Sequence, residues 1–212
     1  MLSIFLFTIV VNQTFMFAMD VFLNKRIHRA YLEHFAGTSL ALVPALAFVL
    51  NFPAFDFAFI QERGGNLAIK VFAGLLLFDV FVYVVHKYLE HGILWRWHKH
   101  HHAFVTDREL TYYSPSVCGL PETIYYLGVQ VAICMVLGFR PMEMFVFITW
   151  VFQQGAYMHQ RGLPQLPWPL ISPRHHRNHH FHTKTYLSGL FLFLDETAVI
   201  DPRAVEGYSR PG

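Results

Sequence analysis

Apolar positions in this chain fall into long blocks rather than scattered stripes. Met1–Met19 is one block, with polar Asn12 and Gln13 near its middle. Ser39–Ile60 is a second, interrupted by Pro44 and Pro53, and Leu67–Val85 is a third and the cleanest. A helix needs roughly 17–25 apolar residues to cross a bilayer, so each block predicts a membrane span. Two shorter blocks, Pro121–Leu137 and Met142–Tyr157, flank the turn Gly138-Phe139-Arg140-Pro141. They predict a tight helical pair, either as two spans or as a hairpin that dips into the membrane. The expected fold is all-α, a polytopic membrane helical protein with about three to five membrane segments. One domain is expected over residues 1–212. The first block lacks a basic start and a small-residue cleavage site, so it is expected to be retained. The tail after Asp195, with Pro202, Gly207, Pro211 and Gly212, is expected to be loosely ordered.

Composition supports the same class. Hydrophobic residues make up 54% of the chain and charged residues 14%, where a soluble domain carries about a quarter charged. A net charge of +2 leaves no electrostatic footprint for nucleic acid. Cys118 and Cys134 supply neither a disulfide framework nor a Cys-x-x-Cys pair. Charge also predicts an orientation. With His86 on the cytoplasmic side, only Arg63, Lys70 and Arg140 of the 16 Lys and Arg residues fall outside or at an outer end. The positive-inside rule favours that arrangement. The expected location is the bacterial inner membrane or the endoplasmic reticulum, with a histidine-rich helical cap in the cytoplasm.

Histidine changes the picture most. Of 14 histidines, 12 lie between His86 and His182. They form three clusters: His86 with His91; His98, His101 and His102; and His176, His179 and His180. In the second and third, the i, i+3, i+4 spacing places three imidazoles on one helical face. His86 and His91 are five apart, about 140° round an ideal helix. One of that pair must therefore come from a helix end, a kink or a π-bulge. His159, just after the fifth block, is a ninth candidate ligand. His28 and His34 read as ordinary interface residues. His100, His175 and His182 sit beside candidate ligands but off the best face, and each stays open as a replacement for one of the nine.

Neutral imidazole suits iron, zinc, copper and nickel, and eight or nine ligands fit two ions better than one. No Glu-x-x-His pair occurs, which excludes the carboxylate-bridged di-iron bundle. No His-Glu-x-x-His signature occurs either. A transporter would place its ligands mid-span, and a zinc hydrolase needs an open site with about three ligands. A non-catalytic metal-binding membrane protein with a degenerate site remains the rival from another class. Asp79 lies seven residues before His86, on the same face. An acid within a span needs a partner, so Asp79 is expected to accept an N–H from a ligating imidazole. Tyr83 is a candidate beside it. Glu90, Glu109 and Glu122 read first as solvated interface residues.

Three stretches carry a family resemblance. They are Asp79-x-x-x-Tyr83-x-x-His86, Leu94-Trp95-Arg96-Trp97-His98-Lys99-x-His101-His102, and Ser172-Pro173-x-x-His176-x-x-His179-His180. Over residues 75–195 the chain resembles the fatty acid hydroxylase/sterol desaturase superfamily. That resemblance implies a catalytic region with a non-haem centre of two iron ions held by these histidines. It implies O2 as co-substrate and an electron donor of the ferredoxin or cytochrome b5 type. The expected reaction is hydroxylation or desaturation of a lipid such as a fatty acyl chain or a sterol. The His86–His98 stretch and His159-Gln160-Arg161 are also similar to bacterial carotenoid hydroxylases. Those continue with Pro-Arg-x-Gly-x-Phe-Glu, where this chain has Ala103–Arg108. The general lipid hydroxylases end with Asn-Tyr-Gly and Trp-Asp, where this chain has Tyr186, Gly189 and Leu194-Asp195. Both substrate classes therefore stay open.

Overall fold

The structure is a computed structural model that describes residues 2–25, 67–103, 110–116 and 120–195, with positions 32 and 36. The expected span at Ser39–Ile60, together with His28, His34, Glu109, Cys118 and the tail after Asp195, lies outside the described residues. The described part is all-helical. Helix α1 covers Leu2–Asn24 and α2 covers Leu67–Val85. A π-helical segment, His86–Ile93, follows α2 directly. Then come α3, Trp95–His102; α4, Leu120–Val136; α5, Pro141–His159; and α6, Pro173–Phe181. Among the described residues, Ile4–Asn24 and Leu67–Ile93 are long and apolar enough to cross a membrane, and α4 is apolar but shorter. Helix is the expected state for such sequences, because it satisfies every main-chain polar group within the segment.

Helix α5 is central. It packs against α1, α2 and α6, and α2 also packs against α4. The apolar core between these helices holds Leu75, Phe78, Ile133, Phe139, Met144 and Phe147. Gly74 admits Phe139 into that core: a Cβ at Gly74 would lie 2.9 Å from Phe139 Cζ. Asn12, the polar residue near the middle of α1, is used as an interhelical contact. Asn12 Nδ2 donates to Thr149 Oγ1 at 3.1 Å, and Gln153 Nε2 donates to Asn12 Oδ1 at 2.7 Å. Further along, Asn24 and Gln160 exchange side-chain hydrogen bonds of 3.1 and 3.2 Å.

The expected helical pair is α4 and α5. Its turn is a Schellman motif centred on Gly138, whose φ of +58° is the left-handed conformation that favours glycine. Phe139 N–H donates to Cys134 O at 2.8 Å and Gly138 N–H to Met135 O at 3.1 Å. Pro141 then starts α5, and Glu143 accepts the Arg140 N–H at 2.8 Å. Lys70 of α2 closes the turn, 3.1 Å from both Gly138 O and Glu143 Oε2.

Candidate metal centre

The histidine-bearing elements meet at one end of α2 and α5. Residues His86–Ile93 form a π-helix, which resolves the five-residue spacing anticipated above: an i→i+5 repeat brings His86 and His91 to one side. Their rings stack with centroids 4.8 Å apart and planes 29° from parallel. Helix α3 presents His98, His101 and His102, and α5 ends on His159. Helix α6 begins with Pro173 after Ser172 and presents His176, His179 and His180.

These nine histidines gather into two groups. His86, His91, His98, His102 and His179 form one; His101, His159, His176 and His180 form the other. Within each group, one ring nitrogen per residue lies within 4.8 Å of the others. Each helical triple is divided between the groups. Helix α3 gives its i, i+4 pair, His98 and His102, to the first group and His101 to the second. Helix α6 does the reverse, with His176 and His180 in the second group and His179 in the first.

Hydrogen bonds fix several tautomers. A carbonyl oxygen only accepts, so the ring nitrogen facing it carries the proton. His86 Nδ1–H donates to Leu187 O at 2.8 Å, His179 Nδ1–H to Thr185 O at 2.8 Å, and His159 Nδ1–H to Gly155 O at 2.7 Å. His98 Nδ1–H faces Glu122 Oε1 at 3.1 Å. In the neutral rings each opposite Nε2 is then a bare lone pair, turned toward the Nε2 atoms of the other rings in its group. His86 Nε2 and His98 Nε2 are 3.1 Å apart, and His102 Nε2 lies 3.0 Å from His98 and 3.2 Å from His179. In the second group, His159 Nε2 is 2.8 Å from His176 and 3.2 Å from His101.

That donor set fits a metal ion. Imidazole ligands about 2.0–2.1 Å from an ion stand about 2.9 Å apart at right angles and about 3.4 Å apart in a tetrahedron. The spacings of 3.0–3.2 Å fall in this range, and the 2.8 Å between His159 and His176 lies just below it. His91 Nε2 is buried without a hydrogen-bond partner, as a ligating nitrogen is before it meets its ion. Burial, and then the neighbouring rings, push His98, His101, His176, His179 and His180 well below the ordinary histidine range. His102 is pushed down to about 3, by burial first. All six are neutral at pH 7, the form that binds metal.

The remaining expectations meet mixed outcomes. Asp79 does not meet an imidazole. Its Oδ1 accepts the main-chain N–H groups of Gly189, Leu190 and Phe191 at 3.0, 2.7 and 3.3 Å. The physical reason is that the chain after α6 folds back over α2, and its free amides reach the carboxylate first. Tyr83 is not brought to the histidines either: its hydroxyl accepts from Lys87 Nζ at 2.7 Å, at the half-buried edge of α2. His100 and His182 are exposed. His175 is used locally, its Nδ1 2.9 Å from the Ser172 hydroxyl at the start of α6. Glu90 and Glu122 are not solvated. They are 1% and 5% exposed and flank His98, with Glu90 Oε1 at 3.8 Å from its Nδ1. Their signal in the sequence was weak: Glu90 shares a turn with His86, but Glu122 is 24 residues from His98.

The comparison with known families decides the relationship. The fatty acid hydroxylase family model matches residues 71–198. The chain belongs to the fatty acid hydroxylase family. The match spans every element that carries the two histidine groups. No curated protein and no solved structure gives a significant match. Membership in the family supports an oxidoreductase of the lipid hydroxylase or desaturase type, and the histidine groups are compatible with metal binding.

Proposed function

We propose that this fatty acid hydroxylase family protein is a membrane-bound, non-haem di-iron oxygenase that hydroxylates or desaturates a lipid such as a fatty acyl chain or a sterol. The observation that carries the reading is the convergence of nine imidazoles into two adjacent nests at one end of α2 and α5, α2 belonging to a helix long and apolar enough to cross a membrane. Two iron ions held by these residues would supply the O2 and electron chemistry. His86, His91, His98, His102 and His179 would hold one, and His101, His159, His176 and His180 the other.

The chain's own part is binding and orientation. The carbonyls of Leu187, Thr185 and Gly155 and the carboxylate of Glu122 keep four ring protons on Nδ1 and aim four Nε2 lone pairs inward. Such outer partners raise ligand basicity and fix ring orientation. The apolar core of α2, α4 and α5 adjoins the histidine end of the bundle, and such walls would exclude water and admit a lipid chain. Electrons come from a ferredoxin or cytochrome b5 type donor, docking on the cytoplasmic face with the histidines. The test is a product screen: purified protein, a reducing system, 18O2 and a panel of acyl lipids, sterols and carotenoids. Incorporation of one 18O atom into a lipid, or a new carbon–carbon double bond with the 18O recovered as water, abolished by His179→Ala, supports the reading. A carotenoid product would favour the reading suggested by His86–His98.

A further inference from the structure

Five consecutive main-chain amides after α6 are held by two carboxylates. Asp195 takes Leu187 N–H on Oδ1 at 2.7 Å and Ser188 N–H on Oδ2 at 3.1 Å. Asp79, from the middle of α2, takes the next three on its Oδ1. Backbone amides that point together form an anion-binding concavity, and here the anions are the protein's own side chains. The loop is pressed close against α2: a Cβ at Gly189 would lie 2.9 Å from Val82 Cγ1. Its far end is tied to the strand-like approach to α6, where Ile171 N–H donates to Leu190 O at 3.0 Å.

The same loop faces the histidines with its carbonyls. Leu187 gives its N–H to Asp195 and accepts His86 Nδ1–H on its oxygen at 2.8 Å. Two residues upstream, Thr185 O accepts His179 Nδ1–H at 2.8 Å. His86 and His179 both belong to the five-histidine group. In the four-histidine group, among the described residues, the one ring tied to a carbonyl is His159, through Gly155 of its own helix.

We propose that Asp79 and Asp195 form a two-carboxylate clamp that positions the 185–191 segment, by holding its amides at 187–191, so that the carbonyls of Leu187 and Thr185 orient His86 and His179, and that the clamp serves the five-histidine site selectively. Both are positioning residues, acting through main-chain atoms rather than on metal or substrate. The proposal rests on the metal-centre reading above and adds an asymmetry to it: one site depends on a distant loop, the other on its own helix.

The experiment is a Co(II) titration of the full chain in detergent, followed by visible absorption, for wild type, Asp195→Asn, Asp79→Asn and His159→Ala. Asp195→Asn is the cleaner variant, because an amide placed there turns an N–H donor toward a main-chain N–H in either orientation. Wild type is expected to fill two sites. Asp195→Asn is expected to weaken one site by about 10–100-fold, the usual effect of losing an outer partner, and to leave the other unchanged; Asp79→Asn keeps an amide oxygen for the three N–H groups that share Oδ1 and is expected to weaken that same site less. His159→Ala is expected to weaken the other site, so Asp195→Asn combined with His159→Ala loses both. A merely structural role would weaken both sites together in step with a lower melting temperature. Equal weakening of both sites, or of neither, in a folded Asp195→Asn protein overturns the clamp alone. Wild type that takes up no cobalt overturns the metal-centre reading and the clamp together. Should Asp79→Asn fail to fold, Asp195→Asn carries the test.

Discussion

His86 Nε2 and His98 Nε2 face each other at 3.1 Å with no proton to join them. The proton of each ring is on the other nitrogen, donated to Leu187 O and to Glu122. Two lone pairs at that distance repel unless a cation lies between them. The metal-free protein should therefore be less stable than the loaded one. At free metal about 100 times the dissociation constant, binding to the folded state alone adds about 2.7 kcal/mol per site. The expected result is a melting temperature that rises with added metal and falls with chelator; a melting temperature indifferent to metal would count against the site.

Acid should release the metal. The unfolded chain's histidines titrate near 6.5, whereas burial holds His102 in the folded protein down to about 3. Between these values the unfolded state binds more protons, so stability rises with pH across the window and is lost as pH falls. Protons also compete directly for the ligating nitrogens. Metal retention after gel filtration should be full near pH 7.5 and decline below about 6.5. Retention that stays flat to pH 4 would contradict this.

Glu122 orients His98 from 24 residues away. Replacing Glu122 by Ala removes the acceptor for His98 Nδ1–H and frees the ring to turn or to change tautomer. Metal affinity should fall about 10–100-fold, measured by competition with a chromophoric chelator. An unchanged affinity would remove Glu122 from the site.

The sequence made some of this legible and hid the rest for physical reasons. Apolar block length announced α2, and Gly138 with Pro141 announced the turn between α4 and α5, because both signals are local. Eight of the histidines stood out by spacing and His159 by its place after the fifth block, and the five-residue gap from His86 to His91 called for a helix end, a kink or a π-bulge, of which a π-helix is found. The division of each triple between two groups was invisible, since it depends on how α3 and α6 cross rather than on either helix. The partner of Asp79 was misjudged for the same reason: Leu190 is 111 residues away. Glu90 and Glu122 read as solvated because charge in an isolated sequence suggests water, and only the packing of α4 over His98 buries them.

Gly189 should tolerate no side chain while Val82 is present. The methyl of Gly189→Ala would meet Val82 Cγ1 at 2.9 Å and push the loop off α2. Overpacking of this kind costs typically about 1–3 kcal/mol. Trimming Val82 to Ala removes the opposing atom, so the double variant should recover much of the loss. The comparison of melting temperatures across the four proteins checks it. A double variant no better than Gly189→Ala would mean that the contact does not limit the loop.

Nine histidines that build two metal sites should carry metal through purification, which elemental analysis of the full chain, purified in mild detergent from iron-supplemented cells, measures. About two metal ions per chain are expected, iron foremost, falling when His179 and His180 are replaced by Ala. Well-folded protein with no bound metal would contradict it.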